Sequence, residues 1–181
     1  MIRPGQSNFV AVLTLTFVWT TNAVAEDGET RIPHWSSFVA AGERYGIDPL
    51  LLVALAKVES NFEQSARNIN VDGSVDVGIM QINRKYWDKP LQELGIDWHA
   101  VETSPDININ VGAWVLSQAF ERSGVSWTAI GAYNAGFTER NKEARRRYAV
   151  KVYRAVTALA PLRSRLTAAN THVRQLAHTT Y

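Results

Sequence analysis

The sequence predicts a mainly α-helical domain of the α+β class, built around one buried central helix. Apolar residues recur at helical spacing in several segments, and helix start and stop signals bracket those segments. Residues 50–58 are apolar on nearly every face, which is typical of a buried helix. The polar stretch over residues 61–78 is rich in Asn, Asp and Gly, and it predicts a loop that could contain one short β-hairpin.

The first two helices have clear boundaries. Trp35 and Phe38 share one helical face, and Gly46 is expected to end that first helix. Asp48 and Pro49 then form a start signal, with Asp as the N-cap and Pro at the first helical position. The apolar segment follows directly, so we expect this second helix to form the centre of the core.

Two further helices begin at similar signals. Ser104 and Pro105 open one that Gly124 should end, and Ser126 opens a short one that ends near residues 134–136. We therefore expect consecutive helices over this part of the chain.

The last predicted helix runs from about residue 139 to 160, with Tyr148 on its apolar face, and Pro161 should end it. Residues 161–181 lack an apolar period, which favours a mobile tail. We expect a single domain over residues 33–160.

The N-terminal 1–25 segment has the features of a secretory signal peptide. Arg3 is its only charge, an apolar run covers residues 9–19, and Ala23 and Ala25 provide small residues before a cleavage point. The apolar run is too short to span a bilayer, which needs about 20 residues. We expect export without stable membrane insertion after cleavage; a retained N-terminal tether is the alternative.

Charge and cysteine content exclude several classes of function. The net charge is +2, of which Arg3 contributes one, so the mature chain carries +1 and has no strong general attraction for nucleic acid or membrane. The chain has no cysteine, which excludes disulfides and thiolate metal sites. Half of a calcium-loop pattern begins at Asn68, but its twelfth position is Ile79 instead of Glu, and we expect no metal.

Glu59 is the first candidate catalytic residue. It follows the most apolar helix, where burial should raise the pKa of its carboxyl group, and the helix C-terminus should raise it further. A carboxyl group that is protonated near neutral pH can donate a proton to a glycosidic oxygen. The alternative is a helix-end Glu that turns to solvent.

A second motif, GIMQIN, covers residues 78–83. Gly78 permits a close backbone approach, and the amides of Gln81 and Asn83 can bind sugar hydroxyl and amide groups. The alternative is a loop-to-helix junction with Ile79 and Ile82 in the core.

A third motif, AYNAG, covers residues 132–136. The hydroxyl of Tyr133 could hydrogen-bond a carboxyl group and orient it. The alternative is a tyrosine that simply packs at the end of a short helix.

Three segments together carry a family resemblance. AKVESNF at residues 56–62, DVGIMQIN at 76–83 and GAYNAG at 131–136 occur in this order. The chain resembles the soluble-lytic-transglycosylase-like, goose-lysozyme-related family over roughly residues 35–154. It is most similar to the small members that accompany secretion systems, conjugation machines and pili. The resemblance implies a lysozyme-like fold.

The resemblance also implies roles for individual residues. Glu59 is the catalytic acid and base, and Tyr133 is the tyrosine that hydrogen-bonds it. The residues implied to bind substrate are Ser60, Met80, Gln81, Tyr133 and Asn134.

The implied reaction needs one carboxylate and no metal or organic cofactor. Glu59 would protonate the oxygen between N-acetylmuramic acid and N-acetylglucosamine, and would then deprotonate the C6 hydroxyl to leave a 1,6-anhydro end. A lysozyme-type hydrolase is the alternative and would use a second carboxylate. Asp76 is the candidate nearest a motif, although we interpret it as a turn residue. A peptidoglycan-binding scaffold without activity is a third hypothesis.

The expected partners follow from the same resemblance, and the expected location follows from the predicted signal peptide. We expect a periplasmic protein that binds peptidoglycan glycan strands and works with a type III or type IV secretion, conjugation or pilus component. The basic stretch over residues 145–154 indicates a solvated helix face, or a contact with an anionic wall polymer or such a component.

Overall fold

The structure, a computed structural model, describes residues 32–163, and these fold as seven α-helices together with a small antiparallel sheet. The fold class predicted from the sequence is confirmed. The predicted signal peptide, residues 1–25, and residues 164–181 of the predicted tail lie outside the described residues.

The helices follow one another along most of the described chain. They are α1 Trp35–Tyr45, α2 Pro49–Glu59, α3 Arg84–Glu93, α4 Trp98–Thr103, α5 Pro105–Ser123, α6 Trp127–Ala135 and α7 Lys142–Leu159. Single 3₁₀ turns, Glu139–Asn141 and Ala160–Leu162, precede and follow α7. No helix within residues 32–163 is long and apolar enough to cross a membrane.

The central helix α2 begins as predicted. The Asp48 side chain accepts a hydrogen bond from the Leu50 amide at 3.0 Å, and Pro49 occupies the first turn. The α2 side chains from Leu52 to Ala56 are completely buried, and the helix packs against α1 and α7. Because other helices cover α2, its C-terminal residue Glu59 lies at the edge of the core.

The sheet lies in the predicted polar stretch and continues beyond it. Strands β1 Arg67–Ile69, β2 Val75–Val77 and β3 Ile82–Asn83 pair in that order, all antiparallel. The register places Asp76 opposite both Asn68 and Asn83. The Asp76 carboxylate is therefore flanked by an amide side chain on each neighbouring strand.

Helices α3 and α4 have no counterpart in the sequence predictions. Helix α3 is polar and contains Pro90, which usually breaks a helix. It forms because the Asn83 side chain caps the Tyr86 amide and because Leu91 is fully buried. The predicted starts of α5 and α6 are confirmed, since Ser104 and Ser126 cap them through their hydroxyl groups.

Candidate active site

Glu59 ends α2 at the wall of a cleft. The residue is half-buried, since one side borders the cleft. Burial raises the pKa of its carboxyl group from 4.5 to about 7, and the negative charge of Asp76 adds to this effect. A hydrogen bond from Tyr148 and the charge of Lys151 act in the opposite direction. The carboxyl group can thus hold a proton near neutral pH, as the sequence predicted.

The tyrosine that hydrogen-bonds Glu59 is Tyr148, and the prediction of Tyr133 for that role was wrong. Tyr148 donates its hydroxyl proton to Glu59 Oε1 at 2.5 Å. Tyr133 instead donates to the main-chain carbonyl of Met80 at 2.8 Å, although it still lines the cleft beside Glu59. The reason is tertiary: α7 packs against α2, so a residue on its inner face reaches the end of that helix.

The apolar period of α7 already placed Tyr148 on the buried face. A buried tyrosine needs a partner for its hydroxyl group, and this was the available signal for its role. Burial and the neighbouring Glu59 charge raise the pKa of Tyr148, which keeps its hydroxyl protonated as a donor.

Asp76 is a strand residue that faces the cleft, not the turn residue that we had predicted. Its Oδ2 accepts hydrogen bonds from Asn70 at 2.9 Å and Asn68 at 3.3 Å, and its Oδ1 accepts one from Asn83 at 2.7 Å. These amides hold the carboxylate in a fixed position near Glu59. A second carboxylate, which sequence reasoning had set aside, therefore lines the same cleft.

Buried Asn108 of α5 fixes the GIMQIN motif. It accepts a hydrogen bond from the Met80 amide at 2.8 Å and donates to the Val77 carbonyl at 3.1 Å. Gly78 has φ +78°, and a Cβ atom there would lie 2.2 Å from Asn108 Nδ2. Only glycine permits this contact between strand and helix without a shift. The close approach predicted for Gly78 is therefore confirmed.

Two residues predicted to bind substrate, Met80 and Ser60, instead make contacts within the protein. Met80 is completely buried against Gly112, so its side chain does not line the cleft. Ser60 donates to the Ile79 carbonyl at 2.8 Å and accepts from the Glu63 amide. Packing thus holds Met80 under the floor of the cleft, and hydrogen bonding uses the Ser60 hydroxyl to join α2 to the motif.

Gln81 and Asn134 do line the cleft. Gln81 has a left-handed backbone, φ 48°, and its Nε2 donates to the carbonyls of Gly78 and Ala66. The amide is thereby locked with its oxygen left to accept from a ligand. Asn134 is exposed near the end of α6. Their substrate contacts stay a prediction.

The cleft has a volume of about 700 Å³. One wall comes from the sheet and α3, and the other comes from α6 and the turn that follows it, with Glu59 between them. The sheet wall includes Asn70, Asp72, Ser74, Asp76 and Asn83, together with Tyr86 and Trp87 of α3; the opposite wall includes Asn134, Ala135, Gly136, Thr138, Arg140 and Asn141.

The wall formed by residues 135–141 is held from behind. Arg145 of α7 is buried and donates to the carbonyls of Gly136 at 3.1 Å and Thr138 at 2.6 Å. Asn141 Nδ2 donates to the Ala135 carbonyl at 2.7 Å. These bonds satisfy carbonyl groups that the chain turn leaves without helix partners. These hydrogen bonds therefore hold the turn that joins α6 to the 3₁₀ turn Glu139–Asn141.

Comparison with known proteins agrees with this architecture. Residues 36–155 match the family model of the transglycosylase SLT domain. Protein IpgF of Shigella flexneri is 42% identical over 114 residues, which cover 63% of this chain and 74% of IpgF. Invasion protein IagB of Salmonella typhimurium strain LT2 is 39% identical over 116 residues, covering 64% and 72% of the two chains.

A structural comparison shows the same fold. A solved structure of an inactive mutant of lytic transglycosylase Slt from Pseudomonas aeruginosa matches with a TM-score of 0.57 and 22% identity. The match covers 74% of this chain but only 25% of that longer one. The matched family model spans most of the chain, and the chain therefore belongs to the transglycosylase SLT domain family.

Proposed function

We propose that the protein is a peptidoglycan lytic transglycosylase. It cleaves the β-1,4 bond between N-acetylmuramic acid and N-acetylglucosamine and leaves 1,6-anhydro-muramic acid ends. The observation that carries this proposal is the placement of Glu59: its carboxyl group, with a pKa of about 7, lies at the end of a buried helix and lines a cleft of about 700 Å³.

The first step uses Glu59 as an acid. Its proton passes to the glycosidic oxygen, which leaves with N-acetylglucosamine as a new hydroxyl group. The acetamido oxygen of the muramic acid closes on C1 and takes up the developing positive charge. No second protein group is needed for this step.

The second step uses the same residue as a base. Glu59, now a carboxylate, takes the proton from the C6 hydroxyl of the muramic acid, and O6 attacks C1 and displaces the acetamido oxygen. The Tyr148 hydrogen bond stabilises the carboxylate that the first step leaves, so it favours proton donation, and in the second step it orients that carboxylate.

Asp76 favours a second candidate, a lysozyme-type hydrolase. Retaining and inverting glycosidases place a second carboxyl group beside the acid. Asp76 shares the cleft with Glu59 and raises its pKa through its negative charge. Three amide donors hold the Asp76 carboxylate in place. A carboxylate held in this way could stabilise a cation or orient a water molecule in a hydrolase.

Digestion of purified peptidoglycan, followed by mass spectrometry of the products, tests both candidates. Anhydro-muramyl ends support the transglycosylase, and reducing muramic acid ends support the hydrolase. The Glu59→Gln variant serves as the matched control, because it keeps the shape of the side chain and removes the proton. Wall binding without any turnover by the wild-type protein would support the scaffold hypothesis and contradict both enzymes.

We propose further that the protein acts in the periplasm, where it opens the wall for an envelope-spanning machine. The predicted signal peptide supports export, and similarity to a protein named for invasion supports such a context. Fractionation of cells that express the full chain tests the location, and N-terminal sequencing of the mature protein tests cleavage after Ala25. A full-length protein in the cytoplasm would contradict export.

A further inference from the structure

The two walls of the cleft differ in charge. The sheet wall contributes the carboxylates of Asp72 and Asp76, and Glu59 lies between the walls. Within residues 32–163, the opposite wall contributes the one cationic side chain that lines the cleft, Arg140. Because Lys85 pairs with Asp72, a ligand in the cleft meets the negative charge of Asp76 on one side and the positive charge of Arg140 on the other.

Arg140 is available to a ligand. It is exposed, and no other described residue forms a hydrogen bond or ion pair with its guanidinium group. Its neighbour Glu139 lies 3.7 Å from Arg145, and Asp72 on the other wall pairs with Lys85 at 2.9 Å. The nearest carboxylates along the wall are thus engaged elsewhere.

The backbone that presents Arg140 is fixed before any ligand arrives. The hydrogen bonds of Arg145 and Asn141 hold residues 135–141 on both sides of Arg140. A preorganised backbone lowers the entropic cost of binding at this position.

We propose that Arg140 binds a carboxylate of the peptide stem on the muramic acid residues, so that the enzyme prefers stem-bearing glycan to stripped glycan. This inference rests on the proposed function, because it requires peptidoglycan in the cleft. An uncharged sugar chain offers no anionic partner for the guanidinium group of Arg140. The peptide stem, in contrast, carries carboxylates that arginine can bind in a bidentate manner. The Asp76 carboxylate on the sheet wall repels such a stem and favours its placement on the side of Arg140.

A comparison of three soluble peptidoglycan fragments of equal glycan length tests this proposal. The first carries intact stems, the second carries stems whose carboxyl groups have been amidated, and the third has been stripped by an amidase and keeps only the lactyl carboxylate. For Arg140→Ala we expect KM to rise about three- to tenfold on the first fragment, with kcat unchanged and with no change on the other two fragments.

Several results would overturn the proposal. An equal loss on the amidated fragment would mean that charge is not recognised, and an equal loss on the stripped fragment would assign Arg140 to the lactyl group. Unchanged kinetics on every fragment would also contradict it. Arg147→Ala is the matched control, because Arg147 is exposed on α7 but does not line the cleft. We expect this control to behave as wild type.

Binding measurements separate this proposal from the proposed function. Calorimetric titration of Glu59→Gln, with and without Arg140→Ala, measures the affinity for the same three fragments without turnover. A protein that makes reducing ends, or that makes no product, would contradict the transglycosylase while leaving the Arg140 preference measurable. Equal affinity of both variants for the stem-bearing fragment would reject the role of Arg140 alone.

Discussion

The hydroxyl group of Tyr148 donates a 2.5 Å hydrogen bond to Glu59, and these two residues are separated by 89 positions in the chain. The bond joins the end of the central helix to the inner face of the last one. It stabilises the carboxylate form of Glu59, whereas burial and Asp76 stabilise the protonated form. The balance of these effects determines the pH range in which the residue can act.

Replacement of Tyr148 with Phe should shift the pH profile. Loss of the hydrogen bond destabilises the carboxylate, so the pKa of Glu59 rises and the alkaline limb of kcat/KM moves to higher pH. The carboxyl group is also less well oriented, and we expect kcat to fall about tenfold or more. Steady-state kinetics across the pH range measure both effects.

Two other tyrosines serve as comparisons for this variant. Tyr153 is exposed and does not line the cleft, so Tyr153→Phe should match wild type. Tyr133→Phe removes the bond to the Met80 carbonyl and should lower activity without moving the alkaline limb upward. If Tyr133→Phe moved that limb and Tyr148→Phe did not, our assignment of the two roles would be reversed.

The raised pKa of Glu59 should also appear in the stability of the protein. Between pH 4.5 and about 7 the folded state keeps a proton that the unfolded state has lost, so the free energy of unfolding falls as pH rises through this window. The shift corresponds to about 3 kcal/mol. Glu59→Gln cannot titrate, so its stability relative to wild type should increase by that amount from about pH 4 to about pH 8.

Chemical denaturation of both proteins at several pH values measures this difference, and other titrating groups cancel in the comparison. A difference that stays constant with pH would mean that the Glu59 carboxyl group has an ordinary pKa. Proton donation near neutral pH would then need another explanation.

Replacement of Asp76 with Asn should move the alkaline limb in the other direction. Removal of the negative charge lowers the pKa of Glu59, so kcat/KM should begin to fall at a lower pH. The three Asn donors also lose part of their acceptor, and stability should decrease by about 1–3 kcal/mol. Exposed Asp97, whose side chain caps nothing, provides the control Asp97→Asn.

The products of Asp76→Asn distinguish the two candidate reactions. A transglycosylase that relies on Glu59 alone should still release anhydro ends, at a lower rate. A hydrolase that needs Asp76 should lose its reducing-end products almost completely. A variant with wild-type rate and pH profile would exclude Asp76 from both reactions.

Alanine substitutions at Gly78 and Gly73 measure how much the close approach of Gly78 to Asn108 matters for stability. Both glycines have left-handed backbones, φ +78° and +77°, but only at Gly78 would a Cβ atom clash, whereas Gly73 has open space. Gly73→Ala should therefore cost about 1–2 kcal/mol for the backbone alone. Gly78→Ala should cost at least about 1–3 kcal/mol more, because Asn108 or the strand must move.

Thermal unfolding compares the two variants directly, and activity provides a second measurement. Since Gly78 supports the motif under the cleft, Gly78→Ala should lose activity even below its melting temperature. Equal destabilisation by both substitutions would show that the contact with Asn108 is not tight in solution.

Local signals made the main helices predictable. Asp48, Ser104 and Ser126 lie at the positions where side chains cap exposed amides, and the structure uses all three in this manner. The same logic could not find α3, because its polar sequence and Pro90 contradict helix preference and only tertiary contacts compensate. Helix propensity depends on neighbouring residues in the sequence, whereas the burial of Leu91 depends on contacts with other parts of the fold.

The site was predictable in part, for a similar reason. The apolar helix made Glu59 a candidate, and the three ordered motifs that carry the family resemblance made it the predicted catalytic residue. Tyr148 reaches Glu59 across 89 positions, so no short pattern predicts this partner. The Asn partners of Asp76 are near it in the chain, but it is the strand pairing that places them around its carboxylate. The motif residues Ser60 and Met80 were assigned to substrate, but the structure shows that they connect the elements of the site.

Helix α7 carries both Arg145 and Tyr148, three residues apart and so within one turn. Arg145 donates to the cleft wall that presents Arg140, and Tyr148 donates to the carboxyl group of Glu59, our proposed proton donor. A small displacement of α7 along its axis would therefore disturb that wall and that carboxyl group at once. Neither part of the site can be moved by shifting this helix while the other stays in place.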